Sequence, residues 1–137
     1  MRRLLAAAYA GYLVALGLLT LTPGQDAPGT AMDGLLDLLR RVGIDPSTGQ
    51  LEVGANVLLF VPLSLLGWYL FARPGVVGWL VVGVLVSAGI ELAQLVIPDR
   101  VSTIGDVIAN GSGAGLGALV ALAQGRLSPV RSTKDVK

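Results

Sequence analysis

Two carboxylates, one guanidinium and a handful of amides stand inside or beside otherwise apolar stretches of this chain. Glu91 and Asp106 are the carboxylates, with Arg100 between them in sequence. Such a set could exchange protons as an acid/base pair while the guanidinium steadies a phosphate or carboxylate. It could equally form a binding pocket, because a buried carboxylate needs a partner, a proton or water. Asn56, Ser87, Gln94 and Asn110 add neutral donors and acceptors nearby. There is no Cys, so thiolate catalysis, disulfides and Cys-based metal sites are excluded, and the absence of His removes the commonest base and metal ligand. No metal site and no cofactor is expected.

These residues need elements that bring them together, and composition indicates which. Hydrophobic residues make up 53% of the 137 positions and charged ones 14%, too few to surface a soluble domain. Mean hydropathy is +0.73. The charges collect at the ends and connections, and no dense basic block with interleaved aromatics suggests a nucleic-acid partner. Four apolar runs stand out, at about residues 4–21, 53–71, 76–97 and 103–123. Roughly 20 helical residues cross a hydrocarbon core, so the fold class is all-α, an integral membrane bundle of four transmembrane helices.

The first run follows Met1-Arg2-Arg3 and outlasts a secretory h-region, and Thr22-Pro23-Gly24-Gln25-Asp26 offers no small-x-small cleavage site; an uncleaved anchor is expected. Lys and Arg set the orientation. With both termini cytoplasmic, seven basic residues (Arg2, Arg3, Arg73, Arg126, Arg131, Lys134, Lys137) lie inside and three (Arg40, Arg41, Arg100) outside. Residues 1–125 form one membrane domain and 126–137 a basic cytoplasmic tail. The turns at 72–75 and 98–102 are short, which predicts that the second span packs beside the third and the third beside the fourth.

The first outer loop carries one more periodic element. Leu35, Leu38, Leu39 and Val42 share a helix face, Thr30 and Asp33 have capping-box spacing, Gly43 is a natural stop, and Asp37 can pair with Arg41. A short amphipathic helix over about 31–42 is expected on the outer membrane surface or over the bundle mouth.

The polar residues agree in depth and in face. Glu91 stands six residues before Ile97, about 9 Å below the end of its span. Asn56, Asp106 and Asn110 also fall near the outer ends of theirs. Ser87, Glu91 and Gln94 form one helical stripe; Asn56, Phe60, Ser64 and Gly67 another; Asp106, Asn110, Gly113 and Gly117 a third. Glycines let helices approach closely, so the Gly-bearing stripes should face protein, and Ala109, Gly113, Gly117 and Ala121 read as a small-xxx-small seam. The Gly-rich run from Asn110 to Gly117 lacks the GK[ST] ending of a phosphate loop. Pro62 should kink its helix. Several of these residues also have purely structural readings. Glu91 could bond Gln94 or Asn110 across helices, Asp106 could cap the fourth span with Thr103, and Arg100 could be an interfacial anchor.

The segment Asn56-Val57-Leu58-Leu59-Phe60-Val61-Pro62-Leu63, then Ser87, Glu91 and Gln94, Arg100, and Asp106-Val107-Ile108-Ala109-Asn110 with Gly113 and Gly117, resembles the VanZ-like family of small bacterial membrane proteins. The resemblance covers about residues 53–120, and its specificity lies in the order and spacing of motifs across three spans. Ser64 stands where such proteins often have Gly, and Gly111 where Thr is frequent. The family takes its name from a protein that lowers susceptibility to teicoplanin-type lipoglycopeptides. What the resemblance implies is a role at the outer face of the bacterial cytoplasmic membrane, including antibiotic resistance, without a mechanism.

The favoured reading is a binding protein. Asn56, Ser87, Glu91, Gln94, Arg100, Asp106 and Asn110 would line an outward-facing pocket for an envelope lipid, a precursor or a lipoglycopeptide. The alternative is a membrane enzyme on a lipid-linked substrate, with Glu91 and Asp106 as acid and base. An ion-coupled transporter ranks last, since the inner halves of the spans carry almost no polar residues.

Overall fold

The structure, a computed structural model, describes residues 1–22, 26–71, 74–97 and 103–127, with backbone alone for 26–32, 35 and 127. The described residues form five α-helices and no strand: α1 (Arg2–Leu21), α2 (Asp26–Arg41), α3 (Thr48–Leu70), α4 (Gly75–Gln94) and α5 (Ile104–Leu127). Helices α1, α3, α4 and α5 are each long and apolar enough to cross a membrane. The turns at 72–73 and 98–102, with Arg73 and Arg100, the Pro23-Gly24-Gln25 segment and the tail from 128 onward lie outside the described residues.

Local chemistry moves the helix ends away from the edges of the apolar runs. α3 starts at Thr48, before the run at 53, because Ser47 and Gln50 form a reciprocal cap. The Gln50 N–H donates to Ser47 Oγ at 3.2 Å and the Ser47 N–H to Gln50 Oε1 at 2.8 Å, meeting two donors that a helix start leaves open. α4 closes at Gln94 and not at Ile97, so Glu91 sits in its last turn, shallower than the sequence suggests. α5 runs on to Leu127.

α2 begins at Asp26, which puts Thr30 and Asp33 inside the helix and not at its start; the Thr30 side chain lies outside the described residues. Its end is a Schellman closure, with the Gly43 N–H on the Arg40 carbonyl (3.0 Å) and the Ile44 N–H on that of Leu39 (2.9 Å). Gly43 has φ 84°, a left-handed conformation in which a side chain is strained. Leu36, not the Leu38–Val42 stripe, is the buried residue; Leu38 and Val42 are exposed. Asp37 meets Arg40 (3.9 Å) and not Arg41, and Arg40 Nε also donates to Asp45 (2.9 Å). That bond and the Asp45 charge raise the Arg40 pKa.

Directions follow from which residues meet. Asn56 of α3 bonds Asp106 of α5, and Tyr69 near the end of α3 bonds Gln124 near the end of α5, so these two helices are parallel. Ser87 faces Asn110, and Gly83 faces Ala114, so α4 runs antiparallel to α5. Tyr12 bonds the Leu59 carbonyl and Arg2 that of Leu70, making α1 antiparallel to α3.

One packing expectation is overturned. α3 and α4 are joined by a short turn yet touch over few residues, one contact being Gly67 against the Trp79 ring; α5 lies between them and packs extensively on both. The reason is the small-residue surface of α5. A Cβ on Gly113 or Gly117 would run into the backbone carbonyls of Val57 or Val61 on α3, and one on Gly111 would meet Val84 of α4 at 2.8 Å. Such close approach yields dispersion contact where lipid provides no hydrophobic drive between helices. Ala109, Ala114, Ala118 and Ala121 of α5 are buried along with these glycines. α1 is the least enclosed helix, with Tyr9 and Leu16 its buried residues.

Candidate functional site

The polar side chains gather at the end of the bundle formed by the finish of α1 and α4 and the start of α3 and α5, and α2 lies between α1 and α3 in sequence at this same end. Three hydrogen-bonded units organise this end, and a fourth ties the middle of the bundle. The first is at its rim. Asp106, three residues into α5, accepts from Asn56 Nδ2 of α3 on Oδ1 (2.6 Å) and from the Thr103 hydroxyl on Oδ2 (2.7 Å). The Thr103 oxygen in turn accepts from the Asp106 N–H at 3.1 Å. Thr103 thus caps the helix, and the Asp106 carboxylate holds both the capping hydroxyl and the neighbouring helix, at a helix N-terminus that suits its charge.

A second unit lies one turn deeper. Asn110 Nδ2 donates to Ser87 Oγ at 2.8 Å, joining α5 to α4, and both side chains are buried. Asn110 Oδ1 is buried without a hydrogen-bond partner. A buried acceptor of that kind is where an internal water is commonly held. The third unit is Gln94, whose Nε2 donates to the Thr20 carbonyl at 2.8 Å. Thr20 is in the last turn of α1, where carbonyls lack intrahelical partners, so Gln94 pins the end of α1 to α4. Ser64 makes the fourth, donating to the Ala114 carbonyl at 2.5 Å between α3 and α5.

Glu91 is placed differently. It is half-buried in the last turn of α4 and lines an open groove of about 220 Å³ with Leu92, Leu95, Thr103, Ile104 and Val107. The groove lies between the end of α4 and the start of α5, on the outside of the bundle, and Ile104 is 81% exposed along it. One carboxylate and one hydroxyl stand on an otherwise apolar wall. That combination suits a molecule with a hydrocarbon part and a polar part, as amphiphile sites generally do.

Of the seven residues singled out by sequence, the structure joins Asn56 to Asp106 and Ser87 to Asn110, sends Gln94 to α1, and leaves Glu91 at the groove. Arg100 lies outside the described residues. Sequence reasoning overlooked Thr103 as a groove residue and Tyr12 as the hydroxyl that holds α1; a phenol in mid-span was the available signal for Tyr12. Chemically, both Asp106 oxygens hold internal donors, an arrangement for positioning rather than proton exchange. Among the described residues no three His, Cys, Asp or Glu side chains converge on a metal-sized site.

A family model, VanZ/LLP1, matches residues 8–125, nearly the whole chain. The chain belongs to the VanZ/LLP1 family. No curated protein and no solved structure matches it. The matched span takes in most of α1, all of α2, α3 and α4, and α5 up to residue 125. Ser64 and Gly111, the two positions at which the resemblance leads one to expect other residues, each have a local account in this VanZ/LLP1 chain. The hydroxyl of Ser64 is fully buried but bonds Ala114, so no polar atom is stranded. Gly111 packs where any side chain would press on Val84 of α4.

Proposed function

We propose that this VanZ/LLP1 chain is a multi-pass protein of the bacterial cytoplasmic membrane, with both termini inside and an outward-facing mouth. The mouth binds an envelope lipid, a lipid-linked precursor or a lipoglycopeptide, and so supports teicoplanin-type resistance. The observation that carries this reading is the apolar groove beside Glu91, at the end of the bundle where the polar side chains collect. The hydrocarbon part of the ligand lies along Leu92, Leu95, Ile104 and Val107, and its polar part meets Glu91 and Thr103. Asn56, Asp106, Ser87, Asn110 and Gln94 hold α1, α3, α4 and α5 in the register that keeps the groove open. Arg100, outside the described residues, keeps the role expected from the sequence, gripping a phosphate or carboxylate. α2, with Leu38 and Val42 exposed, rests on the outer leaflet beside the mouth.

The test is teicoplanin susceptibility of a sensitive Gram-positive host expressing wild type, Glu91→Gln or Ile104→Trp, with membrane levels matched by immunoblot. Protection by wild type that both variants lose supports the groove. Protection that survives in both variants removes it.

A further inference from the structure

The opposite end of the bundle carries a second feature that the mouth does not use. Helix directions bring the start of α1 and the ends of α3 and α5 together there, through Arg2 on the Leu70 carbonyl and Tyr69 on Gln124. Arg2, Arg3 and Arg126 are all exposed at this end. The described carboxylates (Asp33, Asp37, Asp45, Glu52, Glu91 and Asp106) all belong to elements of the other end. On the flank of α5 an open groove of about 340 Å³ is lined by Leu119, Leu122, Ala123 and Arg126. Among the described residues its wall is hydrocarbon, and its one charged lining residue is the Arg126 guanidinium in the last turn of α5.

We propose that this groove is a binding site for an anionic phospholipid of the leaflet facing the Arg-bearing end. One acyl chain lies along Leu119, Leu122 and Ala123, and the phosphate is held by the Arg126 guanidinium. Charge complementarity selects this occupant. A zwitterionic lipid brings an ammonium group toward a surface whose described charges are all positive, whereas an anionic headgroup such as that of phosphatidylglycerol brings net negative charge and no ammonium. Guanidinium donors match phosphate oxygens, and basic pockets at the membrane surface hold such headgroups in preference to diffuse lipid. The site depends on α5 spanning the bilayer but not on the ligand or orientation of the mouth at the other end, so either reading can fail alone.

The test uses the full chain reconstituted in phosphatidylcholine vesicles with and without phosphatidylglycerol, then native mass spectrometry of the lipid each variant retains. Wild type should keep phosphatidylglycerol over phosphatidylcholine. Arg126→Gln should lower that preference roughly fivefold, the effect of one basic contact near a membrane surface. Ala123→Trp keeps the charge but fills the groove, and should lower it by a similar factor. Arg3→Gln, at the same end but away from the groove, should change it less than twofold. Equal retention by wild type, Arg126→Gln and Ala123→Trp would overturn the proposal. So would an Arg3→Gln loss as large as that of Arg126→Gln, since diffuse surface charge would then account for the binding. Circular dichroism of each preparation keeps misfolding separate from lipid loss.

Discussion

Asn56 and Asp106, 50 residues apart in the chain, meet at 2.6 Å and set the register of α3 on α5 at the start of both helices. Because Asp106 also takes the Thr103 hydroxyl, one side chain joins a helix start to a neighbouring helix. Replacing it with Ala should remove both bonds and leave the Asn56 amide without its acceptor. The Thr103 cap on the Asp106 N–H survives, but the two hydrogen bonds accepted by the carboxylate each contribute about 1 kcal/mol, so Asp106→Ala should destabilise the bundle by roughly 2 kcal/mol. Thermal unfolding in detergent measures this, and a double-mutant cycle with Asn56→Ala should show the two effects to be non-additive. Strict additivity would mean that the bond contributes nothing.

Glycine positions should divide sharply by what faces them. Gly113→Ala and Gly117→Ala drive a methyl into the α3 backbone, which cannot yield as a flexible side chain can. A loss of about 1–3 kcal/mol is expected, the usual cost of overpacking. Gly11→Ala and Gly89→Ala meet nothing within 4 Å and lie in helices, so they should be neutral or stabilising by up to about 1 kcal/mol. Comparing melting temperatures of the four variants decides it, and similar losses at all four positions would refute the close packing.

Ser87→Ala should be worse than Ser64→Ala. The first leaves the Asn110 amide buried without its acceptor, while the second removes a donor from the Ala114 carbonyl, which already serves its own helix. About 1–3 kcal/mol against about 0.6 kcal/mol is the expected contrast. Unfolding free energies in micelles would rank them, and the reverse order would contradict this account.

α1 should loosen before the other helices. Its links to the bundle include Tyr12 on the Leu59 carbonyl and Gln94 on that of Thr20. Tyr12→Phe and Gln94→Leu should each raise amide exchange of α1 several-fold while leaving α5 protected, as expected for a locally opening unit. Uniform exchange across all helices would show that α1 does not open separately.

The orientation has a direct check. An Asp45→Cys protein in intact cells should react with a membrane-impermeant maleimide, and an Arg3→Cys protein should react only after the membrane is breached. The opposite pattern would invert the mouth and the proposed function with it.

The sequence by itself determined the helical spans, the family motifs, and the stripes on which Phe60, Ser64, Ser87, Asn110, Gly113 and Gly117 turn out to be buried. This was legible because bilayer thickness and the 3.6-residue period are properties of a single helix. It also placed Asn56, Asp106 and Asn110 near one end, since depth depends only on position along each span. Only the tertiary structure decided which helices touch. A short turn brings α4 back along α3, but close packing goes to the pair with the smallest surfaces, and α5 took the place between them. The partners were decided there too. Gln94 and Glu91 share a stripe, yet Gln94 reaches the Thr20 carbonyl of α1 while Glu91 lines the groove beside the start of α5. Hydrogen-bond partners between helices depend on rotation and offset of whole helices, and no local pattern encodes those.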